Sequence, residues 1–301
     1  MLILLKIILL LVCVLLSVAF LTLLERKVLS IVGYRFGPNK VSFVGFLQPI
    51  TDAVKLANKQ INYLSNFSFF FYYLSSFFLI SSSLLIWFTL GYQSSSLSLK
   101  YEIMIFMILL GFNSLNSILA GWSTFSKYSL IGSVRTVSQL VSYEASLYFC
   151  IFFFLYTMFS FNFSSLTFLP VTLIFLLYPF LFYVWIPSFL ADLNRTPYDF
   201  SEGESELVSG FNTEFGSNAF TMIFLAEYGN IIFFCLISSF LFMNYMVWFF
   251  FFFFFFFFFF FFVIWIRSVL PRFRFDKLMM LAWKTYIPFL TCYFLLLTAL
   301  V

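Results

Sequence analysis

Apolar stretches long enough to cross a bilayer recur along the 301-residue chain and are separated by short polar segments. A transmembrane helix needs about 20 predominantly apolar residues, and on that criterion the pattern predicts eight spans. They cover residues 2–24, 68–90, 101–120, 137–158, 167–190, 219–242, 247–266 and 278–301. The first is too long and too uninterrupted for a signal peptide. We therefore predict an all-α polytopic membrane protein in which residues 1–301 form a single transmembrane domain.

Residues 43–61 carry a different pattern, because their apolar and polar positions separate into two faces. Both sets recur at intervals of three and four residues, which is the period of a helix face. The apolar set is Phe43, Leu47, Ile50, Val54, Ala57 and Ile61, and the polar set is Gln48, Asp52, Lys55 and Lys59. This segment is predicted to be an amphipathic helix that lies in the membrane interface.

Residues 249–262 are all phenylalanine. Aromatic residues are mediocre helix formers, and a homopolymer does not specify a packing surface. We predict that this run contributes hydrophobicity alone, on a helix that faces lipid.

The basic residues indicate how the predicted spans are oriented. All of them except Lys6 and Lys100 lie in segments that would share one side of the membrane. These residues are Arg26, Lys27, Arg35, Lys40, Lys55, Lys59, Lys127, Arg135, Arg195, Arg267, Arg272, Arg274, Lys277 and Lys284. The positive-inside rule places them in the cytoplasm or matrix and both termini on the opposite side.

Composition argues against a cofactor held by this chain. The sequence is 63% hydrophobic and 9% charged, and it contains no histidine. Its four cysteines stand singly inside apolar segments, whereas iron–sulfur clusters need clustered thiolates and haem needs an axial ligand. It also has no glycine-rich phosphate-binding motif. We predict that the chain itself holds neither a cofactor nor a metal ion.

Carboxylates are concentrated in one predicted loop, residues 191–218. Glu202, Glu204 and Glu206 alternate along it, and Asp192, Asp199 and Glu214 lie in the same loop. Like charges in a low-dielectric setting titrate as a coupled set. Glu144 and Glu227 lie inside the flanking spans, where an ionised side chain costs about 2.5–3.5 kcal/mol. This arrangement favours a proton relay that begins in the loop. The alternative for each intramembrane glutamate is a carboxyl group that is kept protonated, or paired with Arg or Lys, and only holds helices together.

Six blocks in this sequence resemble subunit 1 of respiratory complex I, the proton-pumping NADH:quinone oxidoreductase. They span residues 23–289 in the order of that family. The blocks are LLERKVLSIVGYRFGPNKV (23–41), LQPITDAVKL (47–56), GWSTFSKYSLIGSVRTVSQLVSYE (121–144), NRTPYDFSEGESELVSGFNTEF (194–215), FLAEYGNI (224–231) and WIRSVLPRFRFDKLMMLAWKTYIPF (265–289). One departure is ADLNR (191–195), since the family usually has Ala-Glu-Thr-Asn-Arg there.

The resemblance implies a membrane heel with a tunnel for a quinone substrate. It implies that the tunnel and its mouth are lined by Glu25, Arg26, Arg35, Asp52, Phe224 and Arg274. It implies that the acidic route towards the pumping subunits contains Glu144, Asp192, Glu202, Glu204, Glu206 and Glu227.

The resemblance also implies partners and a location. FMN and iron–sulfur clusters are expected in partner subunits, and the partners are the other membrane and hydrophilic subunits of the complex, quinone and membrane lipids, with no nucleic acid. The expected location is the mitochondrial inner membrane, with both termini on the intermembrane-space side; a bacterial plasma membrane is the alternative.

Three other functions remain open, two from the residues and one, the hydrogenase subunit, from the resemblance. Pro170, Pro179 and Pro187 could mark the broken helices of an ion-coupled transporter, although no repeat relates the two halves of the chain. A related membrane subunit of a membrane-bound hydrogenase would share the heel architecture. A purely structural anchor would not need the clustered carboxylates of the 191–218 loop.

Overall fold

The computed structural model describes residues 2–59, 68–90, 101–158, 160–163, 179–200, 210–242 and 249–300. Within these ranges the regular elements are all helices, and seven helical segments are long and apolar enough to cross a membrane. The α-helices are α1 (Leu2–Val32), α2 (Gln48–Ala57), α3 (Phe69–Ile86), α4 (Glu102–Ser123), α5 (Lys127–Met158), α6 (Pro179–Asp192), α7 (Ser217–Phe242), α8 (Phe249–Val269), α9 (Phe275–Met280) and α10 (Ile287–Leu300). The predicted class, an all-α polytopic membrane protein, is confirmed.

The predicted fifth span is described only from residue 179 onwards. Its described part is helix α6 (Pro179–Asp192), which continues through Pro187. Pro170 lies outside the described residues. The α6 side chains Trp185 and Phe189 are fully buried, so this helix lies inside the bundle.

Two helices extend beyond their predicted limits because buried polar groups stabilise the additional turns. Helix α1 continues from the predicted end at residue 24 to Val32, and Glu25 on this extension is buried in ion pairs. Helix α5 begins at Lys127 rather than at residue 137. Its added turns bury Ser129 and Ser133, whose hydroxyls donate hydrogen bonds to backbone carbonyls. Hydropathy alone underestimates such turns, because it counts these satisfied hydroxyls as polar.

The predicted interfacial helix is shorter than the 43–61 pattern. Phe43–Gly45 forms a separate 3₁₀ turn in which Val44 has a φ of 58°, and helix α2 begins after it at Gln48. Residues 60 and 61 lie outside the described residues. Ile50 and Val54 on α2 are exposed, and α2 contacts α1 and α7.

The phenylalanine run lies in α8 and divides into two faces. Phe253, Phe254, Phe257, Phe258 and Phe261 are exposed, whereas Phe252, Phe259 and Phe260 are buried. The buried face packs against α7 and α1. The prediction that the run faces lipid therefore applies to one face, because a helix at the edge of a bundle must still cover its neighbours.

The last membrane segment contains a π-helical turn, Leu281–Tyr286, between α9 and α10. Such turns interrupt the regular hydrogen-bond pattern of an α-helix and occur often at functional sites. Immediately before this turn, the Tyr143 hydroxyl on α5 donates a hydrogen bond of 2.9 Å to the Leu278 carbonyl oxygen. That bond anchors the end of the chain to the centre of the bundle.

Candidate functional site

A cavity of about 200 Å³ lies where α7 begins, beside the segment that follows α6. It combines aromatic, basic, acidic and amide side chains. Its lining consists of Leu193, Asn194, Arg195, Phe211, Asn212, Phe220, Ile223, Phe224, Glu227, Tyr228 and Arg267. Positions 220, 223, 224, 227 and 228 are spaced by three and four residues, so one face of α7 forms a wall of the cavity.

Glu25 on α1 connects two of the cavity's arginines. Its Oε1 lies 3.1 Å from Arg195 Nη1 and also accepts a hydrogen bond from Arg267 Nη1. The Glu25 side chain is only 6% exposed and that of Arg195 only 13%. A carboxylate this far removed from water requires compensating charge, and the two guanidinium groups provide it.

An aromatic ladder runs along the same face of α7. The Phe224 and Tyr228 ring centres are 4.4 Å apart, and those of Phe220 and Phe224 are 6.2 Å apart. The Arg195 guanidinium carbon lies 4.5 Å from the centre of the Tyr228 ring, within the range of a cation–π interaction. The cavity therefore has an apolar aromatic wall that ends at a fixed cation.

Two further acidic residues lie close together between α5 and the end of α6. Glu144 is buried, and its Oε1 has no hydrogen-bond partner among the described residues. Ser114 of α4 and Tyr148 of α5 lie beside its carboxyl group. Asp192 is close enough to interact electrostatically with both Glu144 and Tyr148. The fold therefore unites two residues of the predicted acidic route.

Asp192 is the residue that departs from the family pattern. Its side chain is one methylene shorter than glutamate, which reduces the reach of its carboxyl group. It nevertheless lies at the end of α6 within electrostatic range of Glu144.

The predicted quinone residues occupy three different places. Glu25 and Phe224 belong to the cavity region. Arg26 and Asp52 form an ion pair of 2.6 Å between α1 and α2, and Gln48 donates a hydrogen bond of 3.0 Å to Asp52.

The other two predicted quinone residues lie on the exposed surface. Arg35 follows the end of α1, and Arg274 pairs with the exposed Asp276 at 3.2 Å. The structure does not bring either of them to the cavity.

Part of the acidic loop is outside the described residues, including Glu202, Glu204 and Glu206. The loop's described beginning contains Asp199, which is buried and pairs with Arg272 at 3.5 Å. Its described end, Gly210–Asn212, packs on α5.

Sequence reasoning did not assign functional roles to Arg195, Arg267, Asn194 and Tyr228. The two arginines were interpreted as topology signals, and nothing in the spacing of residues 25, 195 and 267 indicates that they meet. The FLAEYGNI block (224–231) contains Tyr228, but only the fold places the Arg195 guanidinium group over its ring.

Comparison with known proteins gives a consistent family assignment. The model of the family described as NADH dehydrogenase matches residues 5–299. NADH-ubiquinone oxidoreductase chain 1 of Aedes aegypti is 44% identical over 283 residues, which are 93% of this chain and 90% of that protein. The proteins of the same name from Locusta migratoria and Strongylocentrotus purpuratus are 45% and 38% identical, over 93% and 91% of this chain and 90% and 88% of their own. The chain therefore belongs to the NADH dehydrogenase family, the family of subunit 1 of respiratory complex I.

Proposed function

We propose that this membrane subunit of the NADH:quinone oxidoreductase forms the quinone access tunnel and the acidic relay that couples quinone reduction to proton pumping. The observation that carries the proposal is the cavity between α7 and residues 193–195. Phe224, from the predicted quinone set, and Glu227, from the predicted acidic route, line this one cavity.

The cavity has the two kinds of surface that a quinone requires. Ligand sites are mostly apolar, with a few polar groups that fix orientation. Phe220 and Phe224 supply the apolar wall, which suits an isoprenoid tail. The guanidinium groups of Arg195 and Arg267 supply donors that suit the oxygens of a quinone head.

The tunnel mouth lies at the membrane interface in this proposal. The exposed apolar residues Ile50 and Val54 of α2 would contact lipid, while Arg26 and Asp52 form a polar rim beside them. An amphipathic helix of this kind lies in the plane of the interface. A hydrophobic substrate would enter directly from the bilayer.

Quinone reduction adds two electrons and two protons, so charge changes transiently beside these residues. Charges in a water-poor bundle interact strongly over several ångströms. Glu227 borders the cavity, and Glu144 and Asp192 lie close together farther along. Glu202, Glu204 and Glu206 would extend this route, so that a proton shift at one carboxyl changes the protonation of the next.

The proposal includes a location and partners. Relatives from animals and the apolar helices support a multi-pass mitochondrial membrane protein, and we place both termini on the intermembrane-space side. Flavin and iron–sulfur clusters would be held by hydrophilic partner subunits. Arg35 and Arg274, which the structure leaves exposed, would contact those subunits or the quinone at the tunnel mouth.

Phe224→Trp tests the tunnel directly, because a larger ring would narrow the cavity. In assembled complexes we expect a rise of roughly tenfold in KM for a long-tailed quinone, equivalent to about 1.4 kcal/mol, and a smaller rise for a short-tailed quinone. Electron transfer from NADH to hexaammineruthenium(III), which needs no quinone tunnel, should be unchanged. Phe112→Trp, on an exposed position of α4, is the matched control.

Equal KM values for the long-tailed quinone in Phe224→Trp, Phe112→Trp and the unmodified complex would contradict the tunnel assignment.

Native separation of solubilised membranes gives a second test. The chain should migrate with flavin and iron–sulfur subunits and with inhibitor-sensitive NADH:quinone reductase activity, rather than with hydrogenase subunits or alone.

A further inference from the structure

Arg195 contacts Glu25, a member of the predicted quinone set, and Tyr228, the chain neighbour of Glu227 from the predicted acidic route. Its Nη1 lies 3.1 Å from Glu25 Oε1, and its guanidinium carbon lies 4.5 Å from the centre of the Tyr228 ring. Arg195, Tyr228 and Glu227 all line the same cavity. One cation is therefore fixed between a carboxylate on α1 and the cavity wall that bears Glu227.

Glu227 shares the cavity with two cations. Arg195 and Arg267 both contact the Glu25 carboxylate, and both line the cavity. Among the described residues that line the cavity, the only acidic one is Glu227. Glu227 therefore lies in the field of the two arginines.

Burial strengthens the electrostatic effect of Arg195 on Glu227. The side chains of Glu25 and Arg195 are 6% and 13% exposed, whereas that of Arg267 is 39% exposed. Buried charges are screened much less by salt and water than exposed ones. A change of charge at Glu25 would thus act on Glu227 mainly through Arg195, with Arg267 as the outer partner.

We propose that Arg195 is a positioning residue that couples the charge state of Glu25, beside the quinone tunnel, to Glu227 at the start of the acidic route. The Tyr228 ring contacts one face of the guanidinium group, and the Glu25 carboxylate accepts its hydrogen bond. The position of the guanidinium group therefore depends on both residues. When Glu25 loses its negative charge, Arg195 loses an anionic partner and its field at Glu227 increases. This role rests on the proposed function, because it needs Glu227 to act in coupling.

A double-mutant cycle tests the coupling. The variants are Arg195→Gln, Glu227→Gln and the double mutant. In assembled complexes, both the protons pumped per electron delivered to quinone and the rate of coupled turnover are measured. If Arg195 acts through Glu227, each single variant should lower the ratio, and the double mutant should be no lower than the lower single variant. We expect the interaction to be worth about tenfold in coupled turnover, within the range for residues in one network.

Arg195→Lys and Lys277→Gln provide the controls. Lysine keeps the charge but not the planar fork that contacts Glu25 and Tyr228, so it should restore the ratio only in part. Lys277 is exposed and forms no ion pair with a described residue. Its Gln variant should leave the ratio unchanged alone and add nothing to Glu227→Gln.

Additive losses from Arg195→Gln and Glu227→Gln would overturn the coupling role while leaving the proposed function standing. A normal ratio in Glu227→Gln alone would instead remove Glu227 from the acidic route of the proposed function, and overturn this role with it. If Arg195→Gln fails to assemble, Tyr228→Leu replaces it, because this variant removes the ring but no charge. Tyr228→Leu should lower the ratio more than Tyr228→Phe, and equal ratios for the two would also overturn the role.

Discussion

The Gln139 side-chain amide on α5 donates a hydrogen bond of 2.7 Å to the Tyr198 carbonyl oxygen. The same nitrogen also donates a hydrogen bond of 2.8 Å to the Ala191 carbonyl oxygen. One fully buried side chain therefore anchors both ends of the segment that carries Asp192, Arg195 and the start of the acidic loop. Burial also raises the pKa of the Tyr198 phenol above its ordinary value.

Gln139→Leu should detach this segment from α5. Each carbonyl oxygen would keep one backbone donor, the Asn194 amide for Ala191 and the Phe200 amide for Tyr198. We therefore expect a loss of about 0.5–1.5 kcal/mol for each hydrogen bond removed. We expect less assembled complex and a lower melting temperature, together with a higher KM for quinone. Thermal unfolding of the purified complex and quinone titrations measure both effects.

Ser138→Ala is the matched control for this prediction. The Ser138 hydroxyl bonds only within its own helix, to the Arg135 carbonyl oxygen at 2.9 Å. If Ser138→Ala lowered the melting temperature and raised the KM for quinone as much as Gln139→Leu, the effect would reflect a general sensitivity of α5 and not a specific role of Gln139.

Gly132→Ala should displace the end of the acidic loop from α5. A Cβ at this position would lie 2.8 Å from both the Gly210 carbonyl carbon and the Phe211 amide nitrogen. Both are backbone atoms, so the segment itself must move, and overpacking of this kind typically costs about 1–3 kcal/mol. Because Phe211 and Asn212 line the cavity, quinone reductase activity should fall along with thermal stability.

Gly229→Ala provides the comparison, because a Cβ at that position would meet nothing within 4 Å. Alanine also favours a helix over glycine by about 1 kcal/mol. Gly229→Ala should therefore be neutral or slightly stabilising in the same assays. Equal losses in the two variants would contradict the close approach of α5 to Gly210 and Phe211.

Two substitutions in the phenylalanine run should have different effects. Phe259 is 1% exposed and contacts Phe182, whereas Phe257 is 51% exposed. Truncating a buried phenylalanine to alanine costs about 3–5 kcal/mol, so Phe259→Ala should lower the melting temperature of the complex. Phe257→Ala should change it little, and equal shifts would mean that α8 has no preferred buried face.

The sequence was informative where hydrophobic pattern alone decides the structure. Runs of apolar residues predicted most of the membrane helices, and the amphipathic pattern located α2. The hydrophobic pattern did not predict the helical turns in which buried polar side chains form hydrogen bonds or ion pairs inside the protein. Ser129 on α5 and Glu25 on α1 extend their helices because their partners come from elsewhere in the fold.

The site was predictable only in part, for the same reason. The resemblance identified Phe224 and Glu25, and the position of Glu227 inside a predicted span had already marked it. Their proximity to Arg195 and Arg267 depends on contacts across as many as 242 residues of sequence. No local pattern encodes such contacts. The two faces of the phenylalanine run could not be predicted either, because identical residues differ in exposure only through the helices that pack against them.

The most direct test of the acidic relay is the number of protons pumped per electron in assembled complexes with Glu227→Gln or Glu204→Gln. Glu102→Gln is the control, because Glu102 is buried and accepts a hydrogen bond of 2.8 Å from the Phe163 amide, which glutamine can also accept. The relay predicts a reduced ratio and slower quinone-coupled turnover in the first two variants and normal values in the control. Normal turnover and pumping in both Glu227→Gln and Glu204→Gln would contradict it.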